Sequence, residues 1–423
     1  MGEATALEGM LQARSAALAR LSARWGGLAY AAAVGFVAML YSNPMYWWPA
    51  FERFRLAFLT MAVCAGAVIA HRLTSGERLR LGGPMSLPLL AYLALFPASL
   101  LWTVHVPSTR YAVGEALKMA IVYLALQNAI DDRARLRRFL LLGALCSLGP
   151  ALGGLWVFFT GDHLVEGFRT HWRGLYGDPN RLAMSLVALF PAALYGALTA
   201  RRLAGRVLFA GVAAAQVASI VLTHSRSGAV AMALAAGLAL VRGRRRVAQV
   251  TAGVVLLAGL VTLAPASFWV RSASITQYET DASVEGRRHA WTVLGAIVRD
   301  RPWGGVGAGA FLASWARYAP LEAGGHRYVA HNVLLETVGE LGIPAFLLFA
   351  TFVLVLLVRL WRAGRDPLVG EEAQALFAGL AGYLVCEMAN GYALSWFLYF
   401  LFAASAAVIH LGALRRAVGE GRP

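Results

Sequence analysis

Residues 131–160 read DDRARLRRFLLLGALCSLGPALGGLWVFFT: four arginines within six positions, then 22 residues from Phe139 to Thr160 without a charge. A helix rises about 1.5 Å per residue, so about 20 apolar residues cross the roughly 30 Å hydrocarbon core of a bilayer. Arginines gathered at one end mark the side of the membrane that retains basic residues. The same unit recurs along the chain. Twelve spans are expected, near 25–42, 54–71, 84–102, 111–130, 138–160, 182–199, 205–222, 227–241, 247–264, 342–359, 372–389 and 393–412. The segments on the inner side of this arrangement carry 23 arginines, against Arg53, Arg55, Arg110 and Arg226 in the four short outer loops. That alternation without an exception predicts an all-α polytopic membrane protein with both termini inside.

Composition agrees. Of 423 residues 59% are hydrophobic and 14% charged, where a soluble domain carries roughly 25% charged residues. The net charge of +16 is not a nucleic-acid signature, because the arginines form small clusters between long apolar runs rather than a continuous basic stripe. Cys64, Cys146 and Cys386 each lie inside an apolar run and read as small buried hydrophobes, with neither a disulfide framework nor a metal site. The organisation expected is an inner N-terminal segment over 1–24, nine spans over 25–264, a large outer loop over 265–341, three spans over 342–412 and an inner tail over 413–423.

Two outer segments exceed a simple turn, 161–181 and 265–341, and loops of such length in a compact protein are functional or disordered. Both are rich in Trp, Tyr, Gly and Pro and lack low-complexity runs, so order is expected. Within the larger one, the spacing of Ala290, Trp291, Leu294, Ile297 and Val298 predicts a helix over 285–298, and a second short helix is expected over 310–318. The glycine-rich stretch 300–311, DRPWGGVGAGAF, lacks the Gly-Lys-Ser/Thr ending of a nucleotide P-loop. Another helix is expected to begin near His331, with Asn332 and Glu336 one turn apart and Glu340 a further turn on. His331 and Asn332 read either as a helix cap or as chemistry. Several arginines on the same face, with no metal-ligand spacing and no Ser/His/Asp or Cys/His set, fit a lipid-linked sugar diphosphate. Guanidinium forks hold phosphate oxygens bidentately and stay charged, and a neutral histidine takes the proton of an attacking hydroxyl.

At these residues the chain resembles the O-antigen ligase superfamily, which includes Wzy-type polysaccharide polymerases and bacterial O-oligosaccharyltransferases. Four patches carry the resemblance in order: Gly177-Asp-Pro-Asn180-Arg-Leu-Ala183 with a later Pro191; His224-Ser-Arg226-Ser-Gly228; Gly286-Arg287-Arg288-His-Ala-Trp291 followed by Pro302, Gly305, Gly307 and Phe311; and Ala330-His331-Asn332 with Glu340 and Gly342. The resemblance covers about 175–345. It implies a GT-C-like multi-pass fold of the bacterial inner membrane, about twelve transmembrane helices with a helical periplasmic loop between the ninth and tenth. It also implies a periplasmic site that needs no cofactor or metal, an undecaprenyl diphosphate-linked glycan donor, and lipid A-core or another glycan as acceptor.

Carried over residue by residue, the resemblance makes His331 the catalytic base and Arg226 and Arg287 the diphosphate contacts, with Arg181 and Arg173 as further contacts. Arg288 is an alternative to Arg287, since adjacent helical residues point about 100° apart. Asn332, Asp178, Asn180, Glu340 and Glu387 are candidates for supporting roles around the site. Asp178-Pro-Asn180 reads equally as a turn and helix N-cap, and Glu115 and Lys118 as an internal pair. Rival readings are a polymerase using a second lipid-linked repeat, a transferase to protein hydroxyls, a transporter or lipid flippase, and a metal-dependent glycosyltransferase using Asp178, Asp281 or Glu285.

Overall fold

A computed structural model describes residues 2–44, 48–241, 265, 266, 268, 269, 282–319 and 326–419. Among these residues the fold is helical, with short 3₁₀ turns and one isolated bridge between Val165 and Arg169. The helices are α1 (Gly2–Ser42), α2 (Leu56–Ser75), α3 (Leu87–Ala98), α4 (Val106–Ala129), α5 (Arg133–Cys146), α6 (Leu148–Thr160), α7 (Pro179–Thr199), α8 (Leu203–Leu222), α9 (Arg226–Val241), α10 (Ala282–Asp300), α11 (Phe311–Tyr318), α12 (Val333–Ala363), α13 (Gly370–Asn390) and α14 (Trp396–Gly419). A helix or helix pair lies on every expected span except 247–264, which lies outside the described residues. Among the described residues seven helical segments are long and apolar enough to cross a membrane, one of them α5 and α6 taken together (Arg133–Thr160), and Leu87–Leu101 and Arg226–Leu240 are shorter apolar helices. The molecule is therefore a polytopic membrane protein.

The packing follows from the sequence of each helix. Asp178 starts α7 by accepting from the backbone N–H groups of Asn180 (2.9 Å) and Arg181 (3.0 Å), and Pro179 sits where no N–H is needed. From Leu182 to Gly196 every residue of α7 is buried, as expected of a helix apolar on all sides. It packs against α5, α8, α9 and α13. The other central helix is α14, buried at every residue from Phe397 to Ile409, and α12 packs beside it through the Phe352–Phe402 ring pair at 4.8 Å.

The 138–160 span is two helices rather than one. Pro150 cannot donate to Cys146, and the ladder breaks at Ser147, whose hydroxyl donates to the Ala144 carbonyl (2.6 Å) and accepts from Gln216 Nε2 (2.7 Å). The helix expected from His331 starts at Val333. It runs through the membrane-facing boundary placed at 342 and breaks at Gly342 (φ 81°, ψ 177°), two residues before Pro344. The loop helices stand where the apolar spacing put them, as α10 and α11.

The glycine-rich stretch is a seam. Val306 and Gly307 donate backbone bonds to Gly339 (3.0 Å) and Glu340 (2.8 Å), and Ile343 donates to Pro302 (2.8 Å). On its other side Val104 donates to Val306 (2.9 Å), Trp102 Nε1 to Gly304 (2.7 Å) and Thr109 to Ala308 (2.8 Å). A Cβ at Gly305 would stand 2.4 Å from the Gly339 oxygen, and one at Gly342 2.4 Å from the Trp303 carbonyl. These glycines allow backbone to touch backbone, which ties the large loop to the α3–α4 corner and to the break in α12.

Candidate active site

The site forms at the bundle end where α7, α9 and α12 begin and α13 ends. Trp291 of α10 donates its indole N–H to the Ala330 carbonyl (3.0 Å). Asn332 caps α12, its Oδ1 accepting from Leu334 (3.0 Å) and Leu335 (3.1 Å), and its Nδ2 donates to the Met388 carbonyl of α13 (3.2 Å). Between these anchors His331 occupies the left-handed region at φ 49°, uncommon for a non-glycine residue. The capping alternative thus applies to Asn332, while the His331 ring is left for other use. It is half-buried, and its Nδ1 is buried with no hydrogen-bond partner among the described residues.

Of the adjacent pair on α10, Arg287 turns inward and Arg288 is exposed. Arg287 reaches the Ala389 carbonyl at 3.5 Å, at the end of α13. Burial, and then the Arg287 charge, hold the His331 pKa below its ordinary 6.5. Asp178 and the Asn390 backbone act the other way and do not overcome them. The neutral, proton-accepting form is favoured. Gly286 leaves room for Tyr328, whose ring a Cβ would meet at 2.7 Å, and Tyr328 stacks on His289 at 6.0 Å and 17°.

Arg181, in the first turn of α7, lies 4.1 Å from the Tyr392 ring centre, a close cation–π contact. Glu387 is fully buried and accepts from the Tyr392 backbone N–H (2.7 Å), so it shapes the turn beneath that ring. Arg226 opens α9 directly after a turn in which His224 takes φ 51°. Its neighbour Ser227 meets Cys386 of α13 at 3.8 Å, one turn before Asn390, and Gly228 lets α9 close on Ala183 of α7.

Two adjoining cavities, about 370 and 580 Å³, share Tyr111, Arg181, Gly309, Glu336, Glu340, Gly391 and Tyr392 as walls. Ala330 and Asn390, both neighbours of His331, wall the larger one, while His331 itself is not among its lining residues. Glu340 also accepts from the backbone of Gly309 (2.7 Å) and Phe311 (3.3 Å), so part of its capacity goes to holding the glycine seam.

Other expected site residues have the following surroundings. Arg173 is exposed and lies over the Trp172 ring at 5.5 Å. Asn180 accepts from Arg169 (3.0 Å), which also donates to the Thr223 carbonyl (3.0 Å) and pairs with Glu166 (3.2 Å), tying the 161–178 segment to the turn before α9. Sequence reading missed Arg169 as that tie, since its partners are 11 and 54 residues away. It also missed Glu336 and Tyr392 as cavity walls; only the one-turn spacing of Glu336 from Asn332 hinted at the former. Asp281 lies outside the described residues, and Glu285 is exposed beside His289.

No curated protein matches the chain. Residues 209–350 match the family described as Wzy_C, O-Antigen ligase, a span that holds the patches around Arg226, Arg287, the glycine seam and His331. The motif resemblance and this match agree, so this stretch of the chain is similar to O-antigen ligases and Wzy-type polymerases.

Proposed function

We propose that this protein moves a glycan from undecaprenyl diphosphate to an acceptor hydroxyl, with lipid A-core as the acceptor, on the periplasmic face of the bacterial inner membrane. Both termini lie in the cytoplasm in this reading, and no metal takes part. The observation that carries it is the placement of Arg287 beside a His331 whose neutral form is favoured. His331 accepts the hydroxyl proton as the acceptor oxygen bonds to the anomeric carbon. The bond from that carbon to the phosphate oxygen breaks, and undecaprenyl diphosphate leaves with the electron pair. Arg287, Arg226 and Arg181 are the residues to which we assign the growing phosphate charge, because a fixed guanidinium fork stabilises it without a proton transfer. The cavities walled by Tyr111, Glu336 and Tyr392 suit sugar rings, which pair apolar faces with hydroxyl groups.

The test is reconstitution with undecaprenyl diphosphate-linked glycan, offering lipid A-core, a second lipid-linked repeat and a peptide in parallel. Transfer to lipid A-core, lost in His331→Ala and insensitive to EDTA, is the expected result. Transfer only to the second repeat would make the protein a polymerase, and full activity in His331→Ala would overturn the base assignment.

A further inference from the structure

The bundle end opposite His331 holds a second concentration of positive charge, which the proposed reaction does not use. Arg72, in the last turn of α2, has only 5% of its side chain exposed. One of its nitrogens pairs with Glu77, whose own side chain is 59% exposed, while Nε and Nη2 are buried with no hydrogen-bond partner among the described residues. Arg80 lies in the connector between α2 and α3. Asn128 of α4 clamps its backbone, accepting from Arg80 N–H (3.0 Å) and donating to its carbonyl (2.8 Å). Arg80 Nη1 is likewise buried with no hydrogen-bond partner among the described residues. Arg72 lies within electrostatic reach of Arg80, and His410 of α14 within reach of both.

Basic residues at the retained end of a membrane helix ordinarily reach outward to water and headgroups, as the exposed Arg78, Arg201 and Arg202 do. Arg72 does the reverse. A buried guanidinium with unmet N–H groups is costly, and a second one beside it adds repulsion. Among the described residues the acids facing this cluster are Glu77, already committed to Arg72, and Asp131, which accepts two 2.8 Å bonds from Arg135. Two guanidinium forks with donors to spare match a tetrahedral oxyanion, which can be met from two directions. We propose that Arg72 and Arg80, flanked by His410, bind a phosphate group at the end of the bundle opposite His331. The phosphate belongs to a phospholipid headgroup or to a free anion, and the two share this recognition chemistry.

The full chain, purified in a neutral detergent, is titrated with phosphatidylglycerol under native mass spectrometry, with diacylglycerol as the phosphate-free lipid and inorganic phosphate in a separate series. One phosphatidylglycerol, or one phosphate, should bind saturably. Arg72→Gln and Arg80→Gln should each weaken that binding by about tenfold or more, while Arg201→Gln leaves it unchanged. Retention of the lipid alone identifies a headgroup, and binding of inorganic phosphate alone identifies a free anion. If Arg72→Gln does not elute as a monodisperse species, the half-buried Arg80→Gln decides. Wild-type affinity in Arg80→Gln, or no binding of either probe to the wild type, overturns the proposal.

Discussion

Replacing Gly342 with Ala tests whether the glycine seam holds the outer loop in place. The backbone there (φ 81°, ψ 177°) lies in a region essentially reserved for glycine, and forcing another residue into it costs about 1–3 kcal/mol. The added Cβ would also stand 2.4 Å from the Trp303 carbonyl and 2.7 Å from the Gly304 nitrogen. Both are backbone atoms, so the seam must part rather than a side chain swing away. Three backbone bonds cross it, Val306 to Gly339, Gly307 to Glu340 and Ile343 to Pro302, each worth about 1 kcal/mol net. Losing two of them with the backbone strain gives about 3–5 kcal/mol. The assay is denaturant unfolding of the reconstituted protein followed by tryptophan fluorescence, since Trp102 and Trp303 both adjoin Gly304. Gly237→Ala, in α9 with open space around it, is the control and should be neutral or stabilising by up to about 1 kcal/mol. A Gly342→Ala protein within about 1 kcal/mol of wild type would refute the seam as the element that fixes the loop.

Asn332→Ala removes a helix cap, worth about 1 kcal/mol, and the bond to Met388, worth about another. The same unfolding assay should show a loss of about 2 kcal/mol, with Asn332→Asp intermediate because it retains the cap. If neutral His331 is the base, as proposed, burial and the Arg287 charge that hold its pKa below 6.5 mean that kcat/KM should rise with pH on an acid limb centred below that value. Arg287→Gln removes one of the two causes of the depression, so the midpoint should move upward toward 6.5 while burial keeps it lower; a downward shift in the pH profile would contradict the arrangement. Arg288→Gln should leave transfer within about twofold of wild type, as for an exposed residue, whereas a loss equal to that of Arg287→Gln would mean both arginines serve the site. Arg226→Lys should lower kcat/KM by about tenfold or more if its contact is bidentate, and an unchanged rate would leave only a point charge at that position.

Local signals were readable from the chain and distant ones were not. Asp178 followed by Pro179 announces the start of α7, and the spacing of Ala290, Leu294 and Ile297 announces α10, because a cap and a helical period are written within a few residues. The break in α12 was not readable. Gly342 and Pro344 could both be absorbed by a transmembrane helix, and what imposes the break is the approach of Trp303 and Gly304 from another segment. The choice between Arg287 and Arg288 had the same character, since it depends on which face of α10 meets α12 and the end of α13. Arg169 looked like one more loop arginine until its bonds to Asn180 and Thr223 made it part of the framework.

The Ala330-His331-Asn332 segment gains meaning from those distant contacts. A histidine at φ 49° is strained by about 1 kcal/mol or more, and such a residue persists only where its surroundings over-determine it. Here the carbonyl before it is held by Trp291 of α10, and the residue after it by the first turn of α12 and by Met388 of α13. Three helices therefore fix the backbone on both sides of one imidazole. Two of them, α10 and α13, also position Arg287 through its place on the helix and its contact at Ala389. Imidazole and guanidinium are consequently not independent features of this end of the bundle. Any displacement of α10 moves the residue that lowers the His331 pKa together with the anchor that aims its ring, so proton affinity and orientation should change as one.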